Sequence, residues 1–190
     1  DDPDRLAKRA AAMRDALEHR GPDGSGVVVR PYAALVHTRL ALLDVERGQQ
    51  PFASADGRYW IVYNGEIYNH LALRRELGTD YPFATRTDTE TVFAAYIAWG
   101  EDCVSRFDGM FAFLIWDDLA KRAFAARDPL GVKPFVYARR HGEFIFASET
   151  HAIVNTWDAA TALDELALAE FVTVPCLSGV GRSLCQGVEH

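Results

Sequence analysis

The sequence predicts an α+β fold, with two layers of buried antiparallel sheet and helices outside them. Three observations carry this. From Asp1 to His19, Leu6, Ala10, Met13 and Leu17 recur at helical spacing on one face. From Asp108 the chain turns β-rich, and GMFAFLIWDD is a near-continuous apolar run, as expected of a strand covered on both faces. Before and after these strands, further helical patterns lie at Leu71–Leu77, Val92–Trp99 and Leu163–Val172. Apolar sheet faces flanked by one-sided helices must be stacked to be buried, which gives a sandwich.

The 190 residues suit one domain with a sizeable core. Hydrophobic residues make up 49% and charged residues 25%, which fits a soluble globular class. The net charge of −7 and the lack of a Lys/Arg run argue against a nucleic-acid face. No apolar run reaches the roughly 18 residues of a spanning helix, so no membrane partner is expected. Cys103, Cys176 and Cys185 show no CxxC spacing, and a reducing cytoplasm is the expected compartment. His19, His37, His70, His141, His151 and His190 form no HExxH-like cluster, so no metal site is expected. No GxGxxG follows a strand and no GxxxxGK[ST] occurs, so nucleotide binding within these residues is not expected.

In chain order, Asp2 or Asp4 can cap the first helix, and Pro3 suits its first turn. HRGPDGSG ends that helix. It is either plain helix termination or a loop that must approach something closely, with Arg20 as its charge. Val27–Val29 and Ala33–Val36 predict a hairpin turned at Arg30-Pro31-Tyr32. Arg39 follows at a strand end, either solvated or aimed into a cleft, where its planar fork would suit a carboxylate.

Tyr59 to Asn69, YWIVYNGEIYN, begins as an aromatic and β-branched strand. A break is predicted at Asn64-Gly65, a pair that favours sharp turns, with a helical pattern directly after it. Such a joint delivers an amide (Asn64), a bare backbone N–H (Gly65) and a carboxylate (Glu66) to one point. Those groups could hold an oxyanion and an ammonium, or be only a strand–turn–helix connection. Thr87 and Glu90 fit a capping box, and Asp88 lies in the first helical turn. That acid either complements the helix dipole or presents a charge to a cation. Beyond it, strands at Gly109–Asp118 and Arg122–Asp128, then a hairpin turned at His141-Gly142, make an antiparallel meander. Ser148 is the expected cap of a helix that starts near Ala147, and the tail after Val172 reads as loop.

Taken in order from His19 to Glu149, the segments HRGPDG, HTRLALLD, YNGEIYN, RTDTE, DGMFAF, RDPLGVKP and FASE resemble the glutaminase domain of asparagine synthetases. These are class II glutamine amidotransferases of the N-terminal-nucleophile (Ntn) hydrolase type. The resemblance implies a four-layer α/β/β/α sandwich of two mainly antiparallel sheets. Residues 1–160 would be the glutaminase domain, and 161–190 a connection toward a synthetase domain of the same parent chain. It implies hydrolysis of glutamine to glutamate and ammonia for an ATP-dependent step, aspartate to asparagine. By resemblance, Arg39 grips the glutamine α-carboxylate, and the backbone of Leu40, Ala41, Leu42 and Leu43 lines the pocket. The Asn64 side chain and Gly65 N–H form the oxyanion hole, while Glu66, Gly65 and Asp88 hold the amide or ammonium end. No cofactor is implied here; ATP and Mg would belong to the synthetase domain. A homodimer is compatible with the family.

The departure from the family lies at the nucleophile. The resemblance implies a cysteine at the mature N-terminus, on an opening strand, whereas residue 1 is Asp. None of Cys103, Cys176 and Cys185 is placed to substitute. Three expectations follow. The sequence is an incomplete copy of a longer protein, lacking its first strand and its synthetase domain, which is the expectation taken forward. Alternatively it is a natural remnant without the cysteine, as in β-lactam synthetase, or a module that binds glutamine without hydrolysing it.

Overall fold

A computed structural model describes residues 3–40, 48–140, 142–156, 162–173 and 182–190. The elements run α1 (Pro3–Leu17), a 3-10 turn Glu18–Arg20, β1 (Gly24–Arg30), β2 (Ala33–Arg39), β3 (Phe52–Ala53), β4 (Tyr59–Ile67), α2 (His70–Leu77) and α3 (Asp88–Trp99). After a 3-10 segment Gly100–Arg106 come β5 (Gly109–Asp117), β6 (Arg122–Arg127), β7 (Val136–Arg140), β8 (Glu143–Ala147), α4 (Thr150–Val154), α5 (Glu165–Thr173) and β9 (Val188–Glu189).

The strands form three sheets among the described residues, β1-β2, β3-β4-β5-β6 and β8-β7-β9, all paired antiparallel. They stack as the expected four layers. Side-chain alternation along β4 and β5 decides this, because successive residues point to opposite faces. Ile61, Tyr63, Ile67, Phe111, Phe113 and Ile115 face outward, onto Leu73 of α2 and Val92 and Phe93 of α3. Val62, Leu114 and Trp116 face inward, onto Leu35 of β2 and Phe146 of β8. A third core, with Leu17, Val136, Ala138, Ala152, Ile153 and Val188, joins α1 and α4 to the far side of the β7 sheet. The order is therefore α1/α4, then β1-β2 with β8-β7-β9, then β3-β4-β5-β6, then α2/α3. One of the two expected sheets is thus divided in two.

Several local expectations are corrected. Asn64-Gly65 is not a turn: β4 runs through both to Ile67, with Asn64 opposite Ala112 and Gly65 opposite Phe111. Pairing with β5 along the whole strand overrides the turn preference of the dipeptide. Neither residue has positive φ among the described residues; Gly65 is needed for close approach instead. A Cβ there would lie 2.5 Å from the Met110 carbonyl oxygen and 2.8 Å from Phe111 Cα.

The meander is also interrupted. Asp128 turns the chain from one sheet to the next, its carboxylate accepting from the N–H groups of Phe111, Val132 and Lys133. This gives RDPLGVKP a structural role. Ser148 does not cap α4; Glu149 occupies the N-cap position, with no side-chain cap bond. The tail is not all loop, since Val188 and Glu189 add β9 to β7. The turn residue His141, and Cys176, fall outside the described residues.

Candidate active site

Arg39, Asn64, Gly65, Glu66 and Asp88, scattered over three elements, line one cavity of about 700 Å³ between the sheet layers. Its walls come from α1, β2, β4, β8 and the start of α3. Leu40 lines it too, 57% exposed, whereas Ala41, Leu42 and Leu43 lie outside the described residues.

Arg39 closes β2 and is buried, although it is a full charge. The HRGPDG loop explains how it is held. Gly21 packs directly on the strand end: a Cβ there would be 2.2 Å from Arg39 N and 2.3 Å from the Thr38 carbonyl carbon. The Asp23 N–H donates to the Arg39 carbonyl at 3.0 Å. Of the two readings of that loop, close approach is the one the structure takes. Arg20 lines the same cavity and donates to Glu149 Oε1 at 2.6 Å, and His19 reaches the same oxygen at 3.1 Å. Arg20 holds the Glu149 carboxyl below the usual carboxylate range, with His19 adding to it. The first and seventh motifs are thereby joined.

The strand that replaces the expected turn organises the opposite wall. In an antiparallel strand, alternate residues send their N–H and C=O to the same edge. The Tyr63 N–H donates to Gln50 Oε1 at 2.7 Å, and the Ile67 N–H donates to Asp88 Oδ2 at 3.0 Å. Both bonds leave β4 on the edge away from β5. The Gly65 N–H, midway between them, faces that same edge. Along it β3 is in register only with Ile61 and Trp60. Asn64, on the inner face with Val62, adds its amide to the cavity wall. The pair thus offers two donors to one region, which is what a tetrahedral oxyanion requires.

Asp88 is the first residue of α3 and only 5% exposed. Its Oδ2 accepts from the Tyr63 hydroxyl at 2.5 Å as well as from Ile67, and Thr89 N–H donates to Oδ1 at 3.1 Å. The cap expected from Thr87 is present, with Oγ1 accepting from Glu90 N–H at 3.3 Å. Glu90 does not complete the box; it turns to the N–H groups of Ala84 and Thr85. Arg74 donates to the Thr85 and Thr87 carbonyls, so the approach to Asp88 is fixed from both sides.

Three cavity residues were not legible as site residues in the sequence. Gln50 pairs its side-chain amide with the Tyr63 backbone, extending the β3–β4 ladder past Pro51, which has no N–H to give. Tyr63 reads as one more core aromatic. His37 is an isolated histidine in sequence, but alternation along β2 puts it on the face of Leu35 and Arg39. Burial pushes its pKa down to about 4, with the Arg39 charge adding to this against a hydrogen bond to the Tyr63 backbone.

Among the described residues no cysteine lines the cavity. Cys103 is fully buried in the helix-side core, and burial pushes its thiol up to about 12. A thiolate is the reactive form, so this cysteine is inert.

The chain is similar to known proteins over most of its length. The glutamine amidotransferase domain family matches residues 2–190. "Asparagine synthetase [glutamine-hydrolyzing] 3" of Bacillus subtilis is 40% identical over 181 residues, which covers 94% of this chain and 30% of that protein. "Asparagine synthetase B [glutamine-hydrolyzing]" of Escherichia coli is 39% identical, over 78% of this chain and 27% of that one. The chain therefore spans less than a third of these relatives. Among solved structures, the B. subtilis glutamine phosphoribosylpyrophosphate amidotransferase complexed with ADP and GMP matches with a TM-score of 0.68. It is 23% identical and covers 78% of this chain and 40% of that one.

Proposed function

Because the chain belongs to the glutamine amidotransferase domain family, we propose that it binds glutamine in the cavity between its sheets and releases the side-chain amide as ammonia. The ammonia would serve an ATP-dependent amide-forming step, aspartate to asparagine, in a second domain of the full-length protein. ATP and Mg would act in that domain and play no part in the chemistry described below.

An amino-acid substrate carries one anion and one cation, and among the charged residues described as lining the cavity the two that are buried, Arg39 and Asp88, are of opposite sign. Arg39 takes the α-carboxylate and Asp88 the α-ammonium. The side-chain amide then lies along the open edge of β4. A thiolate attacks the amide carbon and forms the C–S bond. The carbonyl oxygen becomes an oxyanion and accepts from the Gly65 N–H and the Asn64 amide. Collapse breaks the C–N bond, ammonia leaves with a proton, and water hydrolyses the thioester to glutamate. The described cysteines do not supply that thiolate, so this reading requires a nucleophile from outside the described residues. The observation that carries the reading is the Gly65 N–H on the β4 edge between Gln50 and Asp88, in a cavity shared with Arg39.

The test is glutamine hydrolysis by the full-length protein, with its N-terminal residue identified. Arg39→Ala should raise KM about 100-fold, the loss of a bidentate charged contact of about 3 kcal/mol. Asn64→Ala should instead lower kcat about 100- to 1,000-fold, the usual effect of removing one oxyanion donor. Turnover by both variants at the parent's rate and KM would refute the assignment.

A further inference from the structure

The Tyr63 hydroxyl has no place in the chemistry above. Tyr63 sits on the outer face of β4, with Ile61 and Ile67, in a cluster whose other buried members are apolar. It is 4% exposed, and a buried phenol needs a hydrogen-bond partner. It finds one in a charged group at the start of α3: Asp88 Oδ2, at 2.5 Å. The same oxygen takes the Ile67 N–H. The two donors therefore stand on either side of Gly65 in a single strand. Gln50 fixes the Tyr63 backbone from the open edge and extends its Nε2 to Thr89 Oγ1, at 3.3 Å, beside Asp88.

We propose that Tyr63 is a positioning residue for substrate recognition: its hydroxyl sets the Asp88 carboxylate at the distance from the Gly65 N–H that lets one glutamine molecule reach both. The inference rests on the proposed glutamine site. Burial and the neighbouring Asp88 charge also push the Tyr63 pKa up, so the phenol stays a proton donor throughout the working pH range. In glutamine the ammonium carbon and the amide carbon are joined by two methylenes, so the spacing of their two protein partners is a fixed requirement. A strand meets it better than two independent loops, because its rise per residue is constant. Without the hydroxyl, Asp88 keeps the backbone donors of Ile67 and Thr89 but loses the side-chain donor that holds it from the other side of Gly65.

The test separates recognition of the ammonium from everything else. The full-length protein is titrated calorimetrically with L-glutamate and with glutarate, neither of which is turned over. The two differ only in the α-amino group. The parent protein should bind L-glutamate at least about tenfold more tightly. Tyr63→Phe, which keeps the ring in its apolar cluster, should weaken L-glutamate about tenfold and leave glutarate within about twofold. Tenfold corresponds to about 1.4 kcal/mol of lost interaction. In glutamine hydrolysis the same variant should raise KM with kcat nearly unchanged, because the ammonium contact is made equally in the ground and transition states. Tyr96→Phe, which removes a hydroxyl from the same core away from Asp88, should change neither affinity.

Equal weakening of both ligands by Tyr63→Phe would show a merely structural role and overturn the inference, as would no change in either. If the parent protein itself failed to prefer L-glutamate, or Asp88→Asn left that preference intact, the glutamine-site reading would fall, and the inference with it.

Discussion

Replacing His37 with Asn should remove a loss of stability that the folded protein suffers on acidification. The ring is packed on the inner face of β2, and its Nδ1 is buried without a hydrogen-bond partner among the described residues. A proton on it would be a second cation next to Arg39. In the fold its pKa therefore drops from 6.5 to about 4: burial lowers it most, a hydrogen bond to the Tyr63 backbone opposes this, and the Arg39 charge adds to the drop. The unfolded chain takes up this proton below pH 6.5, while the folded chain takes it up only near pH 4. Acid thus favours unfolding across that window, and the penalty is complete below about pH 4. A drop from 6.5 to about 4 corresponds to about 3 kcal/mol.

Urea unfolding at pH 7 and at pH 4.5, followed by tryptophan fluorescence, measures the effect. Trp60 and Trp116 flank the inner core and report its opening. Carboxylates titrate in parent and variant alike and cancel in the difference. Between the two pH values the parent should lose about 2 to 3 kcal/mol more than His37→Asn. Stability curves that fall in parallel would refute the argument, because His37 would then titrate alike in the folded and unfolded chains. At neutral pH the uncharged ring leaves Arg39 as the cation on that wall of the cavity.

Two further outcomes follow from close packing. Gly21→Ala should destabilise by about 1 to 3 kcal/mol and raise KM for glutamine, because the added carbon meets backbone at Thr38 and Arg39 that cannot rotate away. Thermal unfolding and glutaminase kinetics check the two halves of that statement. In a variant with Cys176 and Cys185 changed to Ser, Cys103 should react with a water-soluble disulfide reagent at least about 100-fold more slowly in native buffer than in denaturant. Its thiol is buried and pushed up to about 12, so a fast native reaction would contradict that burial.

Layering and helices were legible because they rest on periodicity. The near-continuous apolar run GMFAFLIWD names a strand covered on both faces, and the stripe Leu6–Ala10–Met13–Leu17 names one helix face to bury, whatever the partner. The residues that hold the site were not, for the opposite reason: each is defined by a partner far off in sequence. Gln50 matters through Tyr63, His37 through Arg39, and Glu149 through Arg20 on the far side of the fold. Arg39 and Asp88 were ambiguous in sequence because a charge at an element's end is usually solvated; only their burial together in one cavity distinguishes them. Asn64-Gly65 misled, since the dipeptide's local preference is real but weaker than nine rungs of pairing with β5.

That error bears on the chemistry. In a tight turn, successive N–H groups point in different directions, and a single glycine N–H would have no fixed relation to an acid elsewhere. In a strand the relation is built in, since residues 63, 65 and 67 must address one edge. Gln50 and Asp88 take the N–H groups at 63 and 67. Gly65 is held between two satisfied neighbours, and its small size lets β5 close on the other side without displacing β4. The glycine thus serves the site through what it permits on the opposite edge. On the proposed reading, preorganisation of the oxyanion donor would follow from sheet pairing, and recognition of the substrate's charged end from the Tyr63 and Ile67 bonds to Asp88. Both functions rest on the same strand, so a change that shifts β4 should impair binding and turnover together, while loss of one side chain along it should impair only one of them.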